Sequence, residues 1–214
     1  MTVTVLICVH SKSDFHDNFL KKAILSLEKQ TYKNFDVCFV LDECWSNTKK
    51  IVEDNCTFNF KIIEKKIKSG LHNAKNLGLE NITSDYVCFL DADDEYVPSK
   101  IEKQINFISE NPIDFLGTHA WNKTSNSDVL FPSCFDNLSY IKHDEIKKVI
   151  NQKNVLTHGS MMIKKNTLDV LGGYKESYGS EDWDLWKRAF EKNFIFYQLP
   201  ERLYIYTLNT SVSR

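Results

Sequence analysis

An unbroken apolar run that stops at three carboxylates constrains the fold of this chain more than any other feature. Residues 86–90 are all apolar, and Asp91, Asp93 and Asp94 follow them directly. A strand without polar alternation is buried on both faces, which is typical of a parallel sheet covered by helices. Open sheets of this kind bind ligands at the carboxyl ends of their strands. The run therefore predicts that the three acids lie at the ligand-binding edge of a sheet.

Two of these acids form a D-x-D pair that has more than one interpretation. Asp91 and Asp93 are close enough to repel each other as anions unless they are solvated, hydrogen-bonded or neutralised by a cation. Mg²⁺ or Mn²⁺ prefers such hard oxygen ligands and leaves coordination positions for substrate phosphates. Asp is also a common turn residue, so an acidic turn without a metal is the alternative. The pair alone leaves both interpretations open.

The first half of the chain alternates between apolar runs and segments with apolar residues at helical spacing. The pattern predicts a β-α-β-α-β-α-β order, and hence a mostly parallel sheet with helices on both faces. No G-x-G-x-x-G follows the first strand and no lysine-containing phosphate loop is present, which argues against a dinucleotide fold and a P-loop. The predicted strands are 2–9, 35–41, 58–63 and 86–90, and the predicted helices are 17–30, 47–54 and 69–78.

The second half has a less regular pattern. It predicts helices at about 98–110 and 144–150, strands at 115–121, 158–163, 194–197 and 203–206, and an irregular polar segment at 122–142. Ser180 precedes three acids, as expected for the cap and first turn of another helix. No repeat, linker or low-complexity segment divides the chain, so we expect one domain over residues 1–214 with two sub-regions.

Composition excludes several classes of protein. The 27 basic and 29 acidic residues nearly balance, so no electrostatic footprint for nucleic acid is present. The six cysteines lack C-x-x-C spacing, which favours a reducing, cytoplasmic location and argues against a structural zinc site. The apolar amino terminus is expected to be a strand and not a signal peptide. No apolar window reaches the roughly 20 residues of a membrane span, so any association with a membrane is expected to be peripheral.

An ordered series of segments resembles the family-2 glycosyltransferases, nucleotide-sugar-dependent enzymes of the GT-A fold, over essentially the whole chain. The likeness depends on the order of these segments and not on a single motif. The segments are Val3–His10, Ser26–Tyr32, Val40–Glu43, Asn73–Leu79, Phe89–Asp94, Leu171–Tyr174 and Glu181–Trp186.

The resemblance implies a metal-dependent, inverting transfer of a sugar from a nucleotide-diphosphate donor, expected to be a UDP-sugar. The acceptor would be a hydroxyl of a glycan or of a lipid-linked saccharide. Residues 1–95 would form the nucleotide-binding half and residues 96–214 the acceptor-binding half of a GT-A sheet that is Rossmann-like and mostly parallel. The expected cofactor is Mn²⁺ or Mg²⁺.

The resemblance also implies roles for individual residues on the donor side. Asp93 would bind the metal that bridges the diphosphate, with Asp91 at the metal or the ribose. His10 and the pair Asp42 and Glu43 would line the base pocket. The last of the implied donor-side residues is Lys75, which would lie near the base or the phosphates.

On the acceptor side, Asp182 resembles the general base of the family. An inverting transfer needs a carboxylate opposite the leaving group to accept the proton of the attacking hydroxyl. Asp184 is the second candidate for this base. Trp183 and Trp186 could line the acceptor site or pack in the core. A further candidate is His158, which is either a contact to metal or phosphate or a structural histidine.

The chain departs from the family pattern at two places. Where the family usually has Asp-Asp-Gly-Ser, this chain has Glu43 and Cys44 after Asp42, and Tyr206-Thr207 and Asn209 stand where a Tyr-Arg and a later His are usual. These departures motivate a rival hypothesis, a catalytically silent module that binds a nucleotide-sugar or a glycan. A sugar nucleotidyltransferase is a second rival, although no Gly-rich activating loop with a basic residue follows the first strand.

Overall fold

A computed structural model describes residues 1–45, 47–134, 136–177 and 180–208, so the departure at Asn209 lies outside the described residues. The strands are β1 (Val3–Val9), β2 (Asp36–Asp42), β3 (Phe60–Lys65), β4 (Tyr86–Phe89), β5 (Glu95–Tyr96), β6 (Phe115–Thr124), β7 (Phe131–Pro132), β8 (Met162–Lys164) and β9 (Phe196–Leu208). The helices are α1 (Asp14–Glu28), α2 (Thr48–Asn55), α3 (Leu71–Glu80), α4 (Lys100–Glu110), α5 (His143–Lys147), α6 (Lys165–Leu171) and α7 (Glu181–Glu191), and His158–Ser160 form a 3₁₀ turn.

The nine described strands form one sheet, in the order β3-β2-β1-β4-β8-β6-β9-β5, with β7 paired to β6 beside this path. Its first four strands are parallel: Val5 of β1 lies opposite Val37 of β2 on one side and Cys88 of β4 on the other. The parallel sheet predicted from the apolar runs is therefore confirmed.

Hydrophobic cores lie on both faces of this sheet. Val5 and Ile7 of β1 pack into the core that contains Leu20 and Ile24 of α1. Leu6, between them, points to the opposite core, which contains Ala74 and Leu79 of α3. Successive side chains of a strand alternate between faces, so a strand covered by helices on both sides must be apolar throughout. This explains the continuous apolar runs of the sequence.

The second half of the chain completes the sheet with mixed pairing. The strand β8 is antiparallel to both β4 and β6, while β9 is parallel to β6 and antiparallel to β5. The prediction of two separate final strands is wrong, because residues 196–208 form the single strand β9. The register with β6 jumps from Leu199 to Arg202, so the intervening Pro200 and Glu201 bulge out of the ladder. Proline has no N–H for a ladder bond, and a bulge accommodates it without ending the strand.

Two further predictions need correction. The predicted strand 158–163 begins as a 3₁₀ turn and becomes a strand only at Met162. The polar segment 122–142 is also less irregular than predicted, since β6 continues to Thr124 and β7 pairs back on it. Asp136 fixes this segment by accepting hydrogen bonds from the N–H of Ala120 at 2.9 Å and from Nε of Arg202 at 2.5 Å.

None of the helices within the described parts of the chain combines the length and the apolar character needed to cross a bilayer.

Candidate active site

The loop after β4 places its three carboxylates in two different environments. The N–H of Asp94 donates to the carbonyl of Asp91 at 3.1 Å, which closes a tight turn. Asp91 and Asp93 remain partly exposed, whereas Asp94 is only 1% exposed. The carboxylate of Asp94 accepts hydrogen bonds from the hydroxyl of Tyr204 and the N–H of Thr207, both at 2.6 Å. Asp94 is therefore bound to β9, and only the other two acids reach a cavity.

A first cavity of about 330 Å³ lies at the carboxyl ends of β1 and β4. It brings together His10, Asp91 and Asp93, three of the residues predicted for the donor side. The apolar side chains of Phe19 and Leu71 also line this cavity.

A second cavity, also of about 330 Å³, adjoins the first. Asp91, Leu71 and Tyr206 line both cavities, so the two form one cleft that meets at Asp91. The second cavity also contains the predicted base, Asp182. Its other polar lining residues are Lys75, Ser133, Asn154, Thr157, His158, Ser180 and Glu181.

Lys75 lies in the second cavity and not with His10 in the first. Its side chain is buried, and Nζ lies 2.7 Å from Oε1 of Glu181 and 3.5 Å from both ring nitrogens of His158. The ammonium also lies 5.0 Å from the centre of the Tyr174 ring, an attractive cation–π geometry. Lys75 thus contributes a positive charge beside the predicted base.

His158 is a buried partner of this ammonium. Its Nε2 lies 2.8 Å from the hydroxyl of Tyr174. Burial, and then the charge of Lys75, hold the pKa of His158 well below its usual range. The imidazole is therefore neutral at physiological pH, and its interactions with Tyr174 and Lys75 support the structural interpretation of this histidine.

The cleft has an excess of negative charge. Burial raises the pKa of Asp91 to about 6; the charge of Lys75 opposes this increase, while Asp93, Glu181 and Asp182 add to it. For Glu181, burial alone would raise the pKa, but the charge of Lys75 and its hydrogen bond bring the pKa below the usual value. One buried ammonium thus faces four carboxylates, and a cation at Asp91 and Asp93 would relieve their repulsion.

The residues present fit a divalent metal that is completed by its substrate. Asp91 and Asp93 supply the hard oxygen ligands that Mg²⁺ and Mn²⁺ prefer. Within the described parts of the chain, no group of three or more His, Cys, Asp or Glu side chains could hold a metal by itself. The remaining coordination positions of a metal here would belong to phosphate oxygens and water, as at many phosphate-handling sites.

Asp182 is held from two sides at the start of α7. Its Oδ1 accepts from the N–H of Trp183 at 2.7 Å and from the hydroxyl of Ser180, the N-cap of the helix. Its Oδ2 accepts from the side-chain amide of Asn154 at 3.3 Å. This arrangement fixes the carboxylate at the wall of the second cavity, where a hydroxyl can approach it.

The second candidate base, Asp184, does not line either cavity, and its Oδ2 accepts from Nε of Arg188 at 2.7 Å. Trp186 is fully buried, and its ring centre lies 5.6 Å from that of Phe115. Trp183 donates from its indole to a backbone carbonyl at 2.5 Å and lines neither cavity. The core interpretation of the two tryptophans therefore holds.

The predicted base-pocket acids are separated from the first cavity. The carboxylate of Asp42 is 4% exposed and accepts from the N–H of Ser69 at 2.9 Å and its hydroxyl at 3.0 Å. His10 contacts only the backbone of Asp42, donating from Nδ1 to its carbonyl at 2.6 Å. Glu43 has a positive φ of 55° and faces a neighbouring cavity of about 390 Å³ with the exposed Trp45.

Cys44, at the departure from the family pattern, joins the loops that follow β1 and β2. Its thiol donates to the carbonyl of Val9 at 3.1 Å and accepts from the N–H of Ser11 at 3.5 Å. This cysteine therefore helps to position the loops beside the first cavity without lining that cavity.

Sequence reasoning missed several residues of the cleft. Leu71 begins α3 and Asn154 lies in a loop, whereas Tyr206 stands out in the sequence only as part of a departure from the family pattern. Tyr174 contacts Lys75 and His158, which line the second cavity. Asn154 and Tyr206 come from segments far along the chain, and no pattern in the sequence indicates that they meet Asp91. Tyr174 follows the Gly-Gly pair of the family resemblance, which is the only signal that pointed to it.

A parallel βαβ half that ends in a carboxylate pair, joined to a mixed half that supplies a third acid, defines a GT-A-type glycosyltransferase. Residues 4–172 match the family model "Glycosyl transferase family 2", and the chain belongs to this family.

Curated relatives agree with this assignment, and a solved structure shares the fold. The chain is 26% identical over 193 residues to the O-antigen biosynthesis glycosyltransferase WbnJ of Escherichia coli, covering 89% of this chain and 72% of that protein. It is also 26% identical to the putative glycosyltransferase EpsE of Bacillus subtilis, covering 86% of this chain and 66% of EpsE. A crystal structure of S. aureus TarS 1–349 in complex with UDP-GlcNAc superposes with a TM-score of 0.79 at 20% identity. The match covers 99% of this chain and 60% of the TarS chain, and it confirms the predicted fold.

Proposed function

We propose that this chain is the catalytic domain of a metal-dependent, inverting transferase that moves a sugar from a UDP-linked donor to a hydroxyl of a glycan or lipid-linked acceptor. The main observation that supports this proposal is the cleft in which Asp91 joins a cavity containing Asp93 to one containing Asp182. The binding of UDP-GlcNAc by TarS supports the choice of donor. The role in O-antigen biosynthesis stated for WbnJ supports a saccharide acceptor.

On the donor side, the first cavity would hold the nucleotide diphosphate. A divalent cation bound by Asp93 and Asp91 would supply Lewis-acid stabilisation of the diphosphate as its charge develops. The imidazole of His10, oriented by its bond to the Asp42 carbonyl, lines this cavity and not the one that contains Asp182. We therefore place the nucleoside near His10 and the diphosphate near Asp93.

On the acceptor side, Asp182 would act as the general base. The acceptor hydroxyl forms a bond to the anomeric carbon as the bond from that carbon to the diphosphate oxygen breaks, and the hydroxyl proton passes to Asp182. A direct displacement, in which the hydroxyl attacks from the side opposite the diphosphate, would invert the anomeric configuration. Lys75 keeps the neighbouring Glu181 charged and paired, which leaves Asp182 as the acid that receives the proton.

Three substitutions test this division of roles. UDP release would be measured with UDP-sugars, Mn²⁺ and a panel of free and lipid-linked saccharide acceptors. We expect Asp93→Ala and Asp182→Asn each to lower turnover by roughly a hundredfold or more. Asp182→Asn should still bind UDP with Mn²⁺, whereas Asp93→Ala should lose the metal-dependent part of UDP binding. Asp184→Asn makes the same change on the same helix, and we expect its turnover to stay within about twofold.

The same measurements separate the proposed transferase from a silent binding module. Binding of UDP-sugars without turnover by the wild type, across the whole acceptor panel, would support a silent binding module. Full activity of Asp182→Asn would show that another group is the base.

A further inference from the structure

The buried carboxylate of Asp94 ties the loop of the D-x-D pair to the last strand of the sheet. The backbone ladder between β5 and β9 pairs Glu95 with Ile205. Asp94 extends this pairing with its side chain, which accepts from the N–H of Thr207 and the hydroxyl of Tyr204, both at 2.6 Å. Both oxygens of this buried carboxyl group are thereby hydrogen-bonded, as buried polar atoms require. We call Asp94, Tyr204 and Thr207 the Asp94 clamp.

The clamp also depends on Gly159, the residue without a side chain in the 3₁₀ turn. A Cβ placed on Gly159 would lie 2.0 Å from the hydroxyl oxygen of Tyr204. Tyr204 is fully buried, so its hydroxyl reaches Asp94 only because the turn has a glycine at this position. Gly159 itself lines the second cavity. The clamp thus joins the loop after β4, the strand β9 and a wall of the second cavity.

The clamp fixes the position of Tyr206 at the junction of the two cavities. Tyr204 and Tyr206 are two apart on one strand, so their side chains lie on the same face of the sheet. Tyr206 lines both cavities. Among the residues that the structure describes, Asp91 is the one acid that also lines both. The group transferred between the cavities has to pass this junction.

We propose that the ring of Tyr206 packs against the donor sugar that is transferred, and that Asp94 and Tyr204 are positioning residues that hold this ring in place. The inference rests on the proposed function, because it takes the first cavity as the nucleotide site and the second as the acceptor site. An aromatic ring at this junction contacts the apolar face of a hexose while the nucleotide remains in the first cavity. Tyr206 thereby becomes a determinant of the affinity for the sugar and not for the nucleotide.

The test compares the affinity for UDP-GlcNAc with the affinity for UDP, both measured by calorimetry with Mn²⁺. If UDP-GlcNAc does not bind, the tightest binder among UDP-glucose, UDP-galactose and UDP-GalNAc replaces it. We expect Tyr206→Ala to weaken binding of the UDP-sugar by roughly tenfold and binding of UDP by less than twofold. Tyr204→Phe keeps the ring and removes only the bond to Asp94, and it should weaken the UDP-sugar selectively by roughly threefold.

The control is Tyr197→Phe, at the other end of β9, where the ring stacks on Phe107 at 4.7 Å. It should change neither affinity, and circular dichroism would verify that every variant is folded. The inference would be overturned, while the proposed function stands, by either of two results. In one, Tyr204→Phe and Tyr206→Ala weaken the affinities for UDP and for the UDP-sugar equally; in the other, they leave both affinities unchanged. Failure of the wild type to bind any of these UDP-sugars would overturn the proposed function, and the inference with it.

Discussion

The ammonium of Lys75 and the carboxylate of Glu181, 106 positions apart in the chain, lie 2.7 Å from each other at the wall of the candidate active site. Their side chains are 5% and 22% exposed. The pair joins α3, in the parallel half, to the start of α7, in the mixed half, directly beside Asp182. This ion pair is therefore both a link between the two halves and the main source of positive charge near the predicted base.

Removing the ammonium should be costly. Lys75→Met leaves Glu181 as a poorly solvated, unpaired charge, and we expect a loss of about 3 kcal/mol in the free energy of unfolding, measured by urea denaturation. The double variant Lys75→Met/Glu181→Gln should recover part of this loss because the unpaired charge is gone. Lys49→Met breaks an exposed pair of similar geometry, 2.6 Å from Glu64, and should cost less than about 1 kcal/mol. Equal losses for the two single lysine variants would contradict the prediction.

The amide of Asn154 should orient the predicted base. Its Nδ2 donates to Oδ2 of Asp182 at 3.3 Å, while its Oδ1 accepts from the N–H of Leu156 at 3.1 Å. We expect Asn154→Ala to lower kcat by roughly threefold to tenfold, the worth of one hydrogen bond, with little change in KM for the donor. Asn151→Ala, an exposed neighbour in the same segment, is the control. A kcat equal to that of the control would show that Asp182 is held without Asn154.

A buried lysine should make stability depend on pH. Lys100 is fully buried; its Nζ donates to Oε1 of Gln104 at 2.8 Å and lies 4.0 Å from the centre of the Tyr96 ring. Burial lowers its pKa to about 8, with a smaller opposing contribution from Cys88.

The sign of this effect follows from proton linkage. The unfolded state binds the lysine proton more tightly than the folded state, so the charged lysine disfavours folding below about pH 8. The penalty, of order 3 kcal/mol, is relieved as the pH rises from about 8 to about 10.5. We expect the unfolding free energy of the wild type to rise relative to that of Lys100→Met across this window, as measured by urea titrations at several pH values. Parallel pH profiles of the two proteins would show that burial does not perturb this lysine.

The glycine of the 3₁₀ turn should not accept a side chain. In Gly159→Ala the new methyl would overlap the hydroxyl of Tyr204, which is buried and cannot move aside. We expect a loss of about 1–3 kcal/mol, visible as a lower Tm. At Gly117 the corresponding Cβ would lie 3.0 Å from Cε of Met161, at the flexible end of that side chain. Gly117→Ala should therefore be the milder change, and the reverse order would contradict the packing argument.

The parallel half of the fold could be predicted from the sequence because its physics is local. Strands such as β1 and β4 are buried on both faces, so all of their residues except Thr4 are apolar. Each of these strands leads into polar residues that must lie at one edge of the sheet. The cavity that contains His10, Asp91 and Asp93 agrees with this reasoning. The mixed half was predicted less well, since the bulge at Pro200 that makes β9 one strand is visible only when its partner β6 is in place.

What the sequence by itself determined is the fold class, the family and the two acids, Asp93 and Asp182, on either side of the cleft. Only the tertiary structure decided the roles of their neighbours. Asp94 resembles Asp93 in the sequence, yet its carboxyl group is hydrogen-bonded to Tyr204 and Thr207. Lys75 contacts Glu181 in the second cavity and does not line the first cavity with His10. The physical reason is that the charge state and the contacts of a side chain depend on burial and on partners more than a hundred residues away, which the local pattern around an acid or a lysine does not specify.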